Sequence, residues 1–251
     1  MKLAGNTILI TGGTSGIGRA LAEAFHDRGN RVIIAGRRQH LLDSITTAHP
    51  GMQGAQLDVE DTSAVGDFAA QMQARFPELN VLINNAGISR PEDLLADTSD
   101  ISVSCSIIQT NIVGVVQLTA ALLPTLKQQR SSTVITTTSG LAFVPRSNFL
   151  AYCASKAFLH SWLQSLRAQL SGTPVEVLEL VPPYVQTNLA GPHQANDPAT
   201  MPLAEYVAEV MQILEEANHP QGEILVERVK ALRHAERDGK YDQSFAMLNR
   251  H

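Results

Sequence analysis

Tyr152 and Lys156 stand four residues apart, and Ser139 precedes the tyrosine by 13. On a helix, positions i and i+4 share a face, so the phenol and the ammonium can meet at one site. A neighbouring ammonium favours phenolate and lowers the tyrosine pKa toward neutrality. Such a tyrosine can pass a proton to or from a substrate oxygen, and Ser139 can hydrogen-bond that oxygen. Taken separately, Tyr152 and Lys156 read as a surface pair. A hydride carrier elsewhere in the chain changes that judgement, because the protein then supplies placement and electrostatics for a redox step.

The segment Thr11-Gly12-Gly13-Thr14-Ser15-Gly16-Ile17-Gly18 offers a place for such a carrier. Gly12 permits a tight turn, Gly16 lets the backbone approach a pyrophosphate, and Gly18 lets a helix pack close to a sheet. The following helix adds amide donors and a positive dipole end. Alone, this would be an ordinary glycine-rich turn; between a first strand and a first helix it reads as a dinucleotide site. Next comes Ala35-Gly36-Arg37-Arg38. An acidic residue in this region suits the ribose diol of NAD, whereas arginine suits the 2′-phosphate of NADP. Gly36 has no carboxylate, and Arg37 and Arg38 present guanidinium forks. The expectation is therefore NADP(H), with NAD(H) as the second choice. Asp58, followed by Val59, can reach an adenine amino group. Asn84-Asn85-Ala86-Gly87 can tie strand ends together and meet the adenosine side.

These residues need elements to hold them. Apolar runs at Asn6–Thr11, Arg31–Ala35, Met52–Leu57, Leu79–Ile83, Thr133–Thr138, Val175–Leu180 and Glu223–Val226 read as seven strands. Helical spacing predicts helices over Gly16–Gly29, Gln39–Ala48, Asp61–Phe76, about Asp100 to Leu126, Phe149–Leu170 and Leu203–Ala217. Asp61 or Thr62 caps the third of these, and Pro77 follows it. Strand–helix alternation with apolar strands predicts a seven-stranded parallel sheet flanked by helices on both faces, an α/β doubly wound, Rossmann-type fold. Ligands in such folds sit beyond the carboxyl ends of the strands. Each candidate residue falls there.

Composition narrows the function. The 251 residues suit one oxidoreductase domain, with 44% hydrophobic and 17% charged residues. A net charge of −5 argues against a dedicated nucleic-acid or anionic-membrane binder. Cys105 and Cys153 make neither a disulfide scaffold nor a zinc site, and no metal is expected. The N-terminus lacks a signal-peptide layout, and no stretch reaches the ~20 apolar residues of a membrane span. The expected compartment is the cytoplasm.

Taken together, TGGTSGIG at 11–18, NNAG at 84–87, Asn111, Ser139 and Tyr152-x-x-x-Lys156 resemble the short-chain dehydrogenase/reductase family over nearly the whole chain. The resemblance implies a catalytic tetrad. Asn111 would hold a water linking Lys156 to a proton relay, Ser139 would orient the substrate oxygen, and Tyr152 would be the acid/base. Lys156 would tune Tyr152 and bind the nicotinamide ribose. Pro182, Val185 and Thr187 fit positions around the nicotinamide, and Leu141, Phe143, Ser89, Arg90 and Tyr184 fit the substrate pocket. Tyr184 departs from a Pro-Gly pair common in the family and is expected to narrow the pocket. Residues 188–201 correspond to a short, mobile substrate lid. Arg90 could bind an acidic substrate, although a solvated arginine is the simpler reading, and His193 is similarly ambiguous. SGLAFVP at 139–145, LVPPYVQT at 180–187 and the tail further resemble a branch of oxidoreductases labelled by association with D-alanine esterification of teichoic acid. The role in that label is not carried over. The family packs its two long helices against a second subunit, which implies a homodimer or homotetramer. The charged amphipathic tail, 230–251, fits either the substrate side or a partner subunit.

The sequence thus leads to an NADP(H)-preferring oxidoreductase acting on a small or medium carbonyl or alcohol. The alternative is a regulatory or scaffold protein that binds cofactor without turnover; the intact Asn111, Ser139, Tyr152 and Lys156 speak against it. A serine hydrolase built on Ser139 lacks both a partner base and the Gly-x-Ser-x-Gly elbow.

Overall fold

The computed structural model describes residues 1–95, 101–217 and 219–250. Seven parallel strands form one sheet: β1 (Thr7–Thr11), β2 (Arg31–Gly36), β3 (Gln53–Gln56), β4 (Val81–Asn84), β5 (Ser132–Thr137), β6 (Val175–Val181) and β7 (Glu223–Leu225). Their order is β3-β2-β1-β4-β5-β6-β7. Strand order therefore reverses between β1 and β4, and the carboxyl ends of those two strands flank a crevice.

Alternation along each strand explains why both faces are covered. Ile8 and Ile10 face one apolar layer, and Leu9 faces the other. Val32 and Ile34 divide from Ile33 and Ala35 in the same way. A period of two with every position apolar gives a sheet buried on both sides. One layer is supplied by α1 (Gly16–His26) and α8 (Leu203–Glu215), which pack together. The opposite layer draws on α3 (Thr62–Arg75), α5 (Gly114–Gln128) and α6 (Leu150–Gln169). α2 (Gln39–Ala48) packs on β3 at the sheet edge. Asp61 caps α3: its carboxylate accepts from the amides of Ser63 at 3.0 Å and Ala64 at 3.2 Å.

Two expectations need correction, and two segments gain detail. The helix expected from about Asp100 is observed from Ser102, since Asp100 lies outside the described residues. It is not one regular helix. α4 (Ser102–Ile108) passes through a π turn, Gln109–Val113, before α5. The combined run Ser102–Gln128 has 27 residues and a mean hydropathy of 1.6 in its most apolar window, so one helix does reach membrane-span length. Its packing against α3 and α6 gives that apolarity a use inside the fold. The 188–201 segment holds α7 (Pro192–Asn196) and is anchored by Gln194, whose Nε2 donates to the Val185 carbonyl at 2.7 Å. The charged amphipathic tail holds two short helices, α9 (Lys230–Arg233) and α10 (Tyr241–Leu248).

A buried polar cluster ties α9 to the sheet. Glu179 on β6 is fully buried; it accepts from Thr138 Oγ1 at 2.7 Å and meets His160 Nδ1 at 2.8 Å. Beside it, Glu223 on β7 takes a bidentate grip from Arg233, Nε at 2.7 Å and Nη2 at 2.8 Å. That guanidinium also lies over the Phe143 ring at 4.6 Å. Two carboxylates this close are costly without a positive charge beside them, and Arg233 supplies one. Arg233→Ala is expected to lower the unfolding free energy by about 3 kcal/mol in chemical denaturation, because it strands the buried Glu223 charge. The double variant Arg233→Met with Glu223→Met is expected to recover much of that loss.

Candidate active site

The crevice at the switch point opens into a cleft of about 1010 Å³. Its cofactor end is built from the turns after β1, β2 and β4. Gly12 has φ of +66°, and a Cβ there would lie 2.9 Å from the Ala86 Cα, so neither the turn nor the contact admits a side chain. Gly18 stands behind the cleft, where an added Cβ would be 2.3 Å from Asn85 Nδ2. Its part is close packing, as expected. Thr14, Ser15, Gly16 and Ile17 line the cleft itself. Thr11 Oγ1 accepts from the amides of Asn85 at 3.1 Å and Ala86 at 3.0 Å, locking the two turns together. Asn84 Nδ2 reaches Thr136 Oγ1 on β5 at 3.3 Å, so the paired amides do tie strand ends.

Gly36, Arg37 and Arg38 line the same end, together with Asp58 and Val59. The two arginines are placed differently. Arg38 Nη2 donates to Thr14 Oγ1 at 3.2 Å and lies 3.4 Å from Ser15 Oγ, which fixes its fork over the glycine turn. Arg37 lies 3.8 Å from the Asp58 carboxylate, and both side chains are largely exposed. A cradle of free backbone amides, a glycine in place of an acidic side chain and two guanidinium groups fit a phosphorylated dinucleotide.

Deeper in the cleft, Ser139, Tyr152 and Lys156 come together. Ser139 ends the loop after β5, and its Oγ accepts from the Leu141 amide at 3.1 Å while bonding the Tyr152 hydroxyl. Tyr152 and Lys156 share a face of α6, with Nζ 5.8 Å from the ring centroid. Lys156 Nζ donates to the Thr137 carbonyl at 2.8 Å. Electrostatics differ from the expectation. Burial pushes the Tyr152 phenol up to about 12, against the lowering effect of its bond to Ser139. Burial also pushes Lys156 down to about 8. Desolvation penalises the charged form of each group and is the largest cause of both shifts.

Asn111 lies one layer behind. It is fully buried on the π turn, its Oδ1 accepts from the Ile88 amide at 2.9 Å, and its Nδ2 donates to Ser155 Oγ at 3.0 Å. Ser155 in turn donates to the Tyr152 carbonyl at 2.7 Å. Asn111 thus joins the loop after Gly87 to the helix that carries the tyrosine. Sequence reasoning missed Ser155 and the Thr137 carbonyl, because a backbone acceptor leaves no residue-type signal.

Pro182, Val185 and Thr187 line the cleft after β6, as do Leu141, Ser89, Arg90 and His193. Tyr184 also lines it, but its ring is 37% exposed. Its hydroxyl bonds Asp197, so the ring belongs to the 188–201 segment as much as to the pocket. Phe143 is corrected. Its ring lies between His160, at 4.7 Å edge-on, and Arg233, on the far side of the 3₁₀ turn Gly140–Ala142, and it does not line the cleft. The tail supplies wall instead: Leu232 and Leu248 face the cleft.

A family model described as short chain dehydrogenase matches residues 6–198. The chain belongs to this family. It is 38% identical to the uncharacterized oxidoreductase DltE of Bacillus subtilis over 99% of this chain and 98% of the relative, in line with the branch resemblance above. It is 35% identical to sulfoacetaldehyde reductase 2 of Chromohalobacter salexigens, over 81% and 86% of the two chains. In fold it resembles a short chain dehydrogenase from Burkholderia cenocepacia in complex with NADP, at a TM-score of 0.82, 24% identity and 99% coverage of both chains. The protein is an NAD(P)-dependent oxidoreductase.

Folded Lys156 sheds its proton near pH 8. The kcat/KM for NADPH, which reports ionisations of the free enzyme, is expected to hold through neutrality and fall as pH rises above about 8. Stability moves the other way. Unfolded lysine keeps its proton to about 10.5, so between these values the unfolded state binds more protons and folding stability from this group rises with pH.

Proposed function

We propose that the protein is an NADP(H)-preferring carbonyl reductase or alcohol dehydrogenase acting on a small or medium substrate. One observation carries the reading: Ser139, Tyr152 and Lys156 share one cleft with the glycine turn and two arginines. A nicotinamide cofactor would supply the hydride in reduction and take it up in oxidation. The chain does the rest. Arg38, fixed over the turn, and Arg37 hold the 2′-phosphate; Thr14, Ser15, Gly16 and Ile17 hold the pyrophosphate. Asp58, Val59, Asn85, Ala86 and Gly87 border the adenosine side. Pro182, Val185 and Thr187 orient the nicotinamide, and Lys156 binds its ribose.

Ser139 donates to the substrate oxygen. In reduction Tyr152 gives that oxygen a proton, which suits a phenol held at about 12 and therefore protonated at neutral pH. In oxidation it must lose that proton, and the ammonium of Lys156, 5.8 Å from its ring centroid, favours the phenolate. The reading includes 188–201 as the substrate lid, a cytoplasmic setting and a homodimer or homotetramer. Ile108, Leu150 and Phe158 stand exposed on α4 and α6, the helices that pack between subunits in this reading.

Titration of the purified protein with NADPH and NADH, followed by nicotinamide fluorescence, is expected to give much tighter NADPH binding. Arg37→Ala and Arg38→Ala are each expected to weaken NADPH far more than NADH; equal losses would remove the phosphate assignment. Tyr152→Phe is expected to cut turnover by about a hundredfold to ten-thousandfold while leaving NADPH affinity intact. Wild-type turnover in that variant would refute the acid/base role.

A further inference from the structure

We propose that Arg146 is a specificity-determining residue that selects carbonyl substrates carrying a carboxylate or sulfonate at the far end of a short chain. The proposal rests on the oxidoreductase reading above and deepens it. Arg146 lines the substrate end of the cleft. Among the described residues its guanidinium makes no ion pair, and its Nε is buried without a hydrogen-bond partner. An uncompensated buried donor on a cation is costly unless an acceptor arrives. The only acidic residue on the cleft wall, among the described residues, is Asp58, at the adenosine end beside Arg37. Asp197, which bonds the Tyr184 hydroxyl, and Glu92, which accepts from the Ala151 amide at 2.6 Å, lie near this end but off the cleft wall, and among the described residues neither forms an ion pair with Arg146.

The arginine is also held in place. Its guanidinium stacks over Phe149 at 5.6 Å. Its amide donates to Cys153 Sγ at 3.4 Å. Asn249, at the end of the tail, grips the chain on both sides of it: Oδ1 accepts from the Ser147 amide at 2.6 Å, and Nδ2 donates to the Pro145 carbonyl at 3.1 Å. A clamped backbone and a stacked side chain reduce the entropy lost on binding an anion. Phe149, Leu141 and Ala190 line the same cleft as Arg146 and Tyr152, and they pack with Tyr152 and Cys153 into one small apolar cluster. Carbonyl at one end, short apolar middle and an oxyanion with at least two equivalent oxygens at the other is the substrate this surface fits. Guanidinium geometry favours carboxylate or sulfonate over a neutral polar group. Arg90 shares the rim but is exposed and makes no such contacts.

The test compares succinic semialdehyde with butanal under saturating NADPH, in wild type, Arg146→Gln and Arg146→Lys. The glutamine variant is expected to raise KM for succinic semialdehyde by about tenfold to a hundredfold, with butanal unchanged. The lysine variant is expected to recover part of the loss. Equal losses on both aldehydes would mark a merely structural arginine, and no loss would also overturn the proposal. Calorimetric binding of butyrate to the NADPH complex gives a readout without turnover. Wild type is expected to bind it at least about tenfold more tightly than Arg146→Gln. Absent or equal binding would overturn the anion site. If neither aldehyde is reduced while butyrate binding still depends on Arg146, the carbonyl-reductase reading fails and the anion site stands.

Discussion

Lys156 carries its amine into a place where desolvation opposes its charge, and the Thr137 carbonyl accepts from it. No carboxylate pairs with it among the described residues. A carboxylate there would hold the proton firmly but would also neutralise the field at Tyr152. The observed arrangement leaves that field available, and it demands accuracy from the elements that meet around it. β5 must end at Thr137 so that its last carbonyl faces α6. α6 must present Tyr152 and Lys156 on the face turned to the crevice. The π turn must bring Asn111 to Ser155 and Ile88, which fixes that face in rotation. A widened turn of this kind inside a long helix commonly marks a place where side-chain direction matters more than helix regularity.

The strand ends make the second half of the arrangement. Thr11, Asn84 and Asn85 exchange hydrogen bonds across β1, β4 and β5, so the rim of the crevice is tied by short polar side chains rather than by packing. Polar groups buried at the carboxyl edge of a parallel sheet are costly unless paired with one another. Here Thr11 Oγ1, Asn84 Nδ2 and Asn85 Nδ2 are paired, Asn84 Oδ1 is left without a partner, and the glycine turn rests on this set.

Much of this was legible in the residues. Seven apolar runs gave seven strands, because a strand buried on both faces has little room for polar residues. The glycine turn, Ser139, Tyr152 and Lys156 were legible because their chemistry depends on residue type and spacing. Other features depend on shape. Phe143 sits two residues from Leu141, and the 3₁₀ turn between them sends its ring to the opposite side, toward His160 and Arg233. The downward shift of Lys156 follows from burial, which local sequence does not report. The π turn replaces ordinary helix over five residues with no Gly or Pro to announce it. The tail read as one amphipathic segment, yet it is two short helices with a break after Arg233, and Leu232 and Leu248 reach the same cleft from either side of that break.

The grip of Asn249 on the loop around Arg146 has a consequence for how this chain can diverge. Nearly every residue bordering the adenosine and phosphates comes from before residue 90, whereas Leu232, Leu248 and Asn249 come from the last twenty residues. The family model ends at residue 198, so these three lie outside its match. Selectivity can therefore be rewritten at the C-terminal end without disturbing the dinucleotide half. Two relatives with the same nicotinamide chemistry could accept different molecules through differences confined to their final helices, and a chimera joined after β7 would inherit its redox partner from one parent and much of its appetite from the other.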